Sequence, residues 1–410
     1  MKRQVYYKIE MQLASPLSIG SGRNESTDHD IVRDKSGKPY IPASSIAGVF
    51  RHSFDGDIEL QNRIFGTISD NDSVSSKIIF YDGNLVSECA ESNRDSVKLN
   101  KKVGVDGAKF DMETVETGAV FSTIIEITDE AETTDSVIEK MFSKLKAGIM
   151  RFGTKTSRGY GIVRISSLKK CTFESSQIDE WLDFDPLNNQ SWDDIDEYEI
   201  SDDLTGFIKI HLQLMQSGAI SIRQYSTDVG ENNESLPDYK HISLNDENGT
   251  NVIPGTSWAG AFRARFLDFA GQKATDALFG YVNENNKTDP SNKSRIMFSE
   301  SIISDNLMKT ITRNSIDRFS AATKDTALYT ERTSYNGKTD LTIFLADDVT
   351  DKERAILGAV IMDIHNGFLS VGGLTSIGRG MFRIIGLYVN DKDNSHIFQT
   401  GNVAQLLEVK

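Results

Sequence analysis

Ile41-Pro-Ala-Ser-Ser-Ile-Ala-Gly-Val-Phe-Arg51 returns later in the chain as Ile253-Pro-Gly-Thr-Ser-Trp-Ala-Gly-Ala-Phe-Arg263, with seven of the eleven positions identical. A repeat of this length governs everything around it, because overlooking it misassigns the whole fold. Three more blocks recur in the same order. Ile64-Phe-Gly66 is matched by Leu278-Phe-Gly280, and Lys77-Ile-Ile-Phe80 by Arg295-Ile-Met-Phe298. Thr156-Ser-Arg-Gly-Tyr-Gly161 is matched by Thr375-Ser-Ile-Gly-Arg-Gly380. The partners are offset by 212 to 219 residues throughout. Four ordered matches imply a duplicated chain: a first unit over 1–171, an acidic linker over 172–205 and a second unit over 206–410.

Outward from the Ile-Pro block, both halves read alike. Alternation predicts a strand over Tyr7–Leu13 and another over Phe207–Leu214. A polar loop leads into the Ile-Pro block, where Pro enforces an extended entry and Ser or Thr can cap a helix. Phe50 and Phe54, or Phe262 and Phe266, then share one helix face at i,i+4. Short β-rich runs follow at Ser122–Thr128 and Leu341–Leu345. A second amphipathic helix is expected over Thr134–Arg151 and over Lys352–Asn366, and a Gly-rich turn leads to last strands at Gly161–Ile165 and Gly380–Ile385. That order suits an α+β fold of two tandem ferredoxin-like, RRM-like units. A sheet of this type offers RNA one face and its flanking loops.

Composition sets limits. A chain of 410 residues with 38% hydrophobic and 26% charged residues suits two domains with sizeable cores. No run approaches the roughly 18 apolar residues of a membrane span. Residues 1–7 lack the features of a signal peptide. Cys89 and Cys171 have no neighbours at metal-binding spacing, so a cytoplasmic protein without structural zinc is expected. The net charge of −15 looks wrong for a nucleic-acid binder, but residues 172–203 hold twelve acids and no Lys or Arg. The rest of the chain is nearly balanced. Phosphate binding depends on local cations, so the sum neither supports nor excludes RNA. Trp181, Trp192 and Tyr198 within the acidic segment argue against full disorder; it reads as a solvated linker or as packing on a basic neighbour.

Four features can carry chemistry. The helices opening at Ser44-Ser45 and Thr256-Ser257 carry Arg51 and Arg263, and a helix N-terminus receives phosphate readily. An ordinary cap with a solvated Arg is the plainer reading. Gly153-Thr-Lys-Thr-Ser-Arg-Gly-Tyr-Gly161 and Gly372-Gly-Leu-Thr-Ser-Ile-Gly-Arg-Gly380 let backbone approach a phosphate, with Lys155, Arg158 and Arg379 adding charge. Their spacing is not that of a Walker loop, and a tight turn before a strand explains them equally well. Asp28-His-Asp-Ile-Val-Arg-Asp34 holds three acids that could orient a nucleophile, take a proton or recruit Mg²⁺, or simply form a solvated loop. Residues 98–110 and 313–329 mix cations with flat side chains: Lys101, Lys102, Lys109 and Phe110, then Arg318, Phe319, Lys324 and Tyr329. Such a mixture suits backbone tracking with base stacking, or an exposed hairpin.

Together, the Ile-Pro-(Ala/Gly)-(Ser/Thr)-Ser block ending in Phe-Arg and the Gly-…-Ser-Arg-Gly-Tyr-Gly turn resemble the RAMP superfamily of CRISPR-associated proteins. The closer likeness is to backbone subunits of type III effector complexes, and two units in one chain resemble the tandem subunit of III-D-like systems. The resemblance implies a guide-holding protein of antiviral defence whose partners are guide RNA, target RNA, a large polymerase-like subunit, other RAMP subunits and a small subunit, with no membrane. It implies guide phosphate contacts from Ser45, Arg51, Lys155 and Arg158, and from Ser257, Arg263 and Arg379. Base-splaying thumbs would lie at 98–110, with Lys109, and at 313–329, with Arg318 and Lys324. A target-cleaving endoribonuclease site would use Asp28, with Asp34 as the second acid, a divalent cation such as Mg²⁺ and no organic cofactor; the metal's ligands are not legible. The second half departs. Counting back from Ile253 sets Asp246 against Asp34 but Lys240 against Asp28, with Asp238 the nearest acid. Leu374 and Ile377 replace Lys155 and Arg158. A non-catalytic scaffold, a guide-processing endoribonuclease using His29 or His52, and a duplicated binder of a small ligand or protein remain as alternatives.

Overall fold

Val5, Tyr7, Ile9, Met11 and Leu13 lie on one side of the strand Gln4–Leu13, and none is more than 2% exposed. Their period of two is that of a strand with one face on a core. A computed structural model describes residues 3–22, 29–68, 73–100, 103–129, 133–201, 206–225, 237–244, 249–282, 291–325 and 327–400, and between 97 and 109 the backbone alone. The strand lies antiparallel between Val120–Thr128 and Val163–Phe173. Ile78–Phe80 and Gly83–Leu85 both pair with Val120–Thr128, and Tyr40–Ile41 pairs with Gly83–Leu85. Helices Ala43–His52 and Thr133–Lys146 close the core, where Ile46, Phe50, Ile138 and Phe142 meet the buried strand residues.

The chain divides into two compact units, one over 1–97, 106–156 and 160–205, the other over 98–105, 157–159 and 206–410. Within the second, Phe207–Ser217 lies antiparallel between Lys338–Ala346 and Met381–Val389. Ile296–Phe298 and Ser301–Ser304 pair with Lys338–Ala346, and Val252–Ile253 pairs with Ser301–Ser304. Strand for strand this is the order found in the first sheet. Even the irregularities coincide: register shifts at Glu10/Met11 in one central strand and at Gln213/Leu214 in the other. The architecture is mixed α and β, and among the described residues no helix is long and apolar enough to cross a membrane.

Two expectations about local structure are corrected. Pro42 and Pro254, not Ser or Thr, are the helix N-caps, and neither helix has a side-chain cap of its own. Pro is suited to this place because its missing N–H would be unpaired there anyway. Ser45 and Ser257 sit inside the first turn, their N–H groups donating to Pro42 O and Pro254 O at 2.8 and 2.9 Å. The Asp82 carboxylate accepts from Ala43 N at 2.7 Å, so an internal anion already meets the first unit's helix N-terminus. The second correction concerns the acidic segment, described as far as residue 201. This described part is no free linker. Trp192 is 1% exposed and packs with Tyr6, Ile124 and Phe173 on the sheet face opposite the helices. Trp181 Nε1 donates to Tyr6 OH at 3.0 Å, and Tyr198 N donates to Leu168 O at 2.7 Å along the edge strand.

Candidate nucleic-acid interface

Arg51 and Arg263 recur for a reason internal to each unit. Arg51 Nη1 donates to Gly66 O at 2.9 Å, and Arg263 Nη1 donates to Gly280 O at 2.9 Å. The second nitrogens reach Asn62 Oδ1 and Asp276 Oδ1. Each guanidinium thus braces the Ile-Pro helix to the Phe-Gly turn ending the next helix: Ile58–Phe65 in the first unit, the part of Gly255–Phe279 beyond its break at Gly271 in the second. The helix entries have nearly equal dihedrals (Pro42 φ −57°, ψ 139°; Pro254 φ −57°, ψ 141°), and so do the exits (Gly66 φ 77°, ψ 161°; Gly280 φ 75°, ψ 162°). These bonds give the Phe-Arg and Phe-Gly repeats a role inside each unit.

The Gly-rich turns are also duplicated in detail. Phe152 N donates to Gly161 O, and Val371 N to Gly380 O. Gly161 and Gly380 both have φ +72°, and a Cβ on either would lie 1.8 Å from the carbonyl oxygen of Phe152 or Val371. No other residue fits there. Lys155 (φ 54°) and Leu374 (φ 56°) share the left-handed conformation at the equivalent place. Lys155 Nζ donates to Ser96 Oγ at 2.9 Å and lies 4.6 Å from the Phe110 ring centroid. That cation ties the turn to the hairpin formed by Glu91–Asn100 and Val103–Val115. Arg158 is exposed. Arg379 is the clearest correction. It is 3% exposed, Nη1 donates to Glu331 Oε2 at 2.8 Å, and Nη2 donates to the other oxygen of the same carboxylate. A guanidinium so buried and so paired is not a phosphate contact.

Asp28 lies outside the described residues, but the backbone that brings the chain back from it does not. Gly20–Gly22 pairs with Asp30–Ile31, and Val32 N donates to Ile19 O at 2.8 Å. His29 bridges in parallel to Met112 on the hairpin, and its carbonyl accepts from Glu113 N at 3.0 Å. Glu113 in turn accepts from Ile31 N at 2.9 Å. Arg33 forks onto Glu91 at 2.7 and 3.0 Å and also reaches Glu113. In the sequence Asp28 immediately precedes His29, the residue that meets the root of the hairpin. Asp34 is a turn residue. One of its oxygens accepts from Ser36 Oγ, Ser36 N and Lys38 N, and these bonds, Ser36 Oγ first, hold its pKa below the usual carboxylate range.

The second unit repeats the arrangement and corrects the alignment. Arg223–Tyr225 pairs with Tyr239–His241, and Ile242 N donates to Ile222 O at 2.9 Å. Tyr239–His241 runs parallel to hairpin strand Tyr329–Tyr335. Setting Ile242 on Val32 and Ile222 on Ile19 places Tyr239, Lys240 and His241 on His29, Asp30 and Ile31. Isolated bridges agree, Arg33 to Pro39 and Ser243 to Asn251. Asp238, not Lys240, then stands in the register place of Asp28. Counting back from Ile253 failed because Leu244 N reaches Thr250 O where Asp34 N reaches Lys38 O, two extra residues in the loop. Asp246 lies outside the described residues, and Leu244 takes the place of Asp34. Asp238 is exposed, and its Oδ2 accepts from Thr330 N at 2.7 Å.

His241, which the sequence reading passed over, holds this strand. It is 1% exposed; Nδ1 accepts from Ile222 N at 3.1 Å and Nε2 donates to Val252 O at 2.9 Å. Both nitrogens are used by the neutral ring, so protonation would set an N–H against an N–H. Burial lowers its pKa to about 4. The folded state thus binds this proton less readily than the unfolded chain, and stability falls as pH drops from the ordinary histidine value near 6.5 towards 4, by about 3 kcal/mol in all. Urea unfolding at pH 7 and 4.5 measures it. His241→Ile, the residue of the first unit at this place, is expected to flatten the pH dependence while costing stability at pH 7.

Lys109 lies on Val103–Val115, with its side chain outside the described residues. Arg318 and Lys324 are exposed in the loop joining Leu307–Arg313 to Tyr329–Tyr335. Asp317 builds its tip by accepting from Phe319 N, Ser320 N and Ser320 Oγ, and Phe319 is 96% exposed. Flat side chain and cation therefore stand together at the end of a hairpin. Among the described residues no three acidic, His or Cys side chains group to hold a metal ion. His29 is exposed, its ring edge-on to Phe110 at 6.0 Å, and His52 is exposed at the end of its helix.

No curated protein matches the sequence. The family model of the RAMP superfamily matches residues 10–164 and again 237–383, which spans more than half of the chain and takes in both hairpins. The chain belongs to the RAMP superfamily, and with it to CRISPR-associated RNA-binding proteins.

Proposed function

We propose that the chain is a guide-holding backbone subunit of a type III CRISPR effector complex, built as two tandem ferredoxin-like units, each with a thumb hairpin, in the manner of III-D-like systems. What supports this reading is the shared register of His29 and Tyr239, each meeting a hairpin strand in a unit matched by the family model and each preceded in the sequence by an Asp, Asp28 or Asp238. Guide RNA runs past the Gly-rich turns and hairpins, and target RNA pairs with it, so base pairing supplies sequence specificity. Arg158, Arg318 and Lys324 are the exposed cations for the phosphates, and Phe319 is the flat side chain that enters the stack.

Target cleavage follows from the acids. A displaced target nucleotide presents its 2′-OH in line with the next phosphate. The 2′ oxygen attacks phosphorus as its proton passes to Asp28 or Asp238, and the bond to the 5′ oxygen breaks. The products are a 2′,3′-cyclic phosphate and a 5′-OH that takes its proton from water. A lone exposed carboxylate suits a hydrated Mg²⁺ shared with RNA phosphates better than an all-protein cage. Such an ion, one at each acid, would neutralise charge developing on the phosphate. The complex's other subunits, polymerase-like, RAMP and small, are its partners in this reading. Purification of the tagged chain from cells carrying a repeat array tests it: RNA of uniform length bearing repeat sequence is expected, and a chain free of RNA would overturn the proposal.

A further inference from the structure

The first unit's sheet carries the parts of a single-strand binding platform on the face away from its helices, and the chain covers that face itself. Tyr6, Ile124 and Phe173 stand there, 4%, 7% and 7% exposed, beneath Trp192. Phe184 sits between them, its ring centroid 5.4 Å from Tyr6, 5.1 Å from Phe173 and 5.3 Å from Trp192. The two lysines of the face are also taken: Lys8 Nζ donates to Asn189 Oδ1 at 2.8 Å and Lys169 Nζ to Trp192 O at 2.7 Å. Outward, the cover exposes Asp179, Glu180, Asp183, Asp185, Asp193, Asp194 and Asp196. Flat rings and cations are what a sheet offers to unpaired bases and phosphates. Here the same chain supplies rings to the rings, acceptors to the cations, and carboxylates where phosphates would approach.

We infer that residues 174–200 are a built-in RNA mimic that withholds the first unit's sheet from single-stranded RNA, leaving its loops and hairpin as the route for the strand. In the second unit Met215 and Ile385 on the corresponding strands are 40% and 51% exposed. This inference rests on the family's RNA binding, and goes beyond the guide-holding role. It also gives the net charge of −15 a local purpose: the acids are concentrated where RNA is to be kept off.

The test uses the full chain stripped of bound RNA and a fluorescent twelve-nucleotide oligouridine, with binding read by anisotropy. Phe184→Ala with Trp192→Ala removes the cover's apolar anchors, and about tenfold tighter binding is expected from newly stacked bases. Adding Tyr6→Leu cancels that gain. Asp193→Asn with Asp194→Asn and Asp196→Asn leaves the cover in place, and a gain of about threefold that vanishes in high salt is expected. Tenfold-opened accessibility of 177–196 to protease, with no change in oligouridine affinity, would overturn the inference. In case the anchor variant does not fold, photocross-linking of the unaltered chain to 4-thiouridine RNA decides independently: adducts at Tyr6 or Phe173 would overturn it, and adducts confined to hairpins and loops support it. Guide RNA copurifying from cells is read separately, so failure of the mimic and failure of the guide-holding reading give different results.

Discussion

Asp238→Ala is expected to remove one set of cuts from the target-cleavage ladder of the proposed complex, and Asp28→Ala another, each by about 10²-fold or more, the usual contribution of a positioned acid–base group. The two are expected to be independent, because the acids belong to different copies of the repeated unit. Alanine at 238 also deletes the acceptor for Thr330 N, so lost cutting alone could reflect a displaced strand. Asp238→Asn separates the effects: it keeps an acceptor for that N–H and removes the charge. Loss of cutting in both variants assigns the chemistry to the carboxylate. Full cutting with Asn but not Ala would reduce Asp238 to a strap, and full cutting with both would make the second unit a binder only. Asp34→Ala is the control, since that carboxylate already serves the Ser36–Lys38 turn through one of its oxygens; cutting within a few-fold of normal is expected.

Arg379→Met destabilises the second unit by roughly 3–5 kcal/mol, the cost of leaving a buried carboxylate without its partner. Glu331 is 0% exposed, so water cannot replace the guanidinium. Arg313 Nε, 3.7 Å from Glu331, offers partial neutralisation and sets the expectation at the lower end of that range. Arg379→Met combined with Glu331→Leu restores most of the loss, because two apolar groups of similar shape leave no charge stranded. Urea midpoints of the three variants measure the cycle. Had Arg379 been a phosphate contact, the single change would lower RNA affinity and reduce the salt slope by about one, with the urea midpoint unmoved.

What was legible in the sequence, and what was not, divides along the range of the interaction. The repeated blocks were visible because the same short-range demands operate twice: a carbonyl at Gly66 or Gly280 needing an Arg, and a carbonyl at Phe152 or Val371 forbidding any Cβ at Gly161 or Gly380. The strands expected at Tyr7–Leu13 and Phe207–Leu214 were legible from alternation and extend to Gln4–Leu13 and Phe207–Ser217. Recurrence, however, does not say what a residue touches. Arg51 and Arg263 recur as braces, and Arg379 finds Glu331 across 48 positions, with nothing local to announce it. The same holds for the acidic segment over 172–201, whose charge suggested solvent while its few aromatic residues decided where it packs. Asp238 was displaced in the reading because a loop of unequal length lay between it and the landmark used for counting, whereas backbone hydrogen bonds count from the other side.

The matched dihedrals at Pro42 and Pro254, and at Gly66 and Gly280, make each helix pair a cassette with standard fittings. Chain enters and leaves in the same directions, and a single Arg spans the two ends. Length can then drift freely inside: one copy joins its helices through residues 53–57, the other through a break at Gly271, without disturbing the strands outside. Exchange of the two cassettes between the units should therefore be a tractable graft, and their inner joint is the place where this fold can accept foreign sequence.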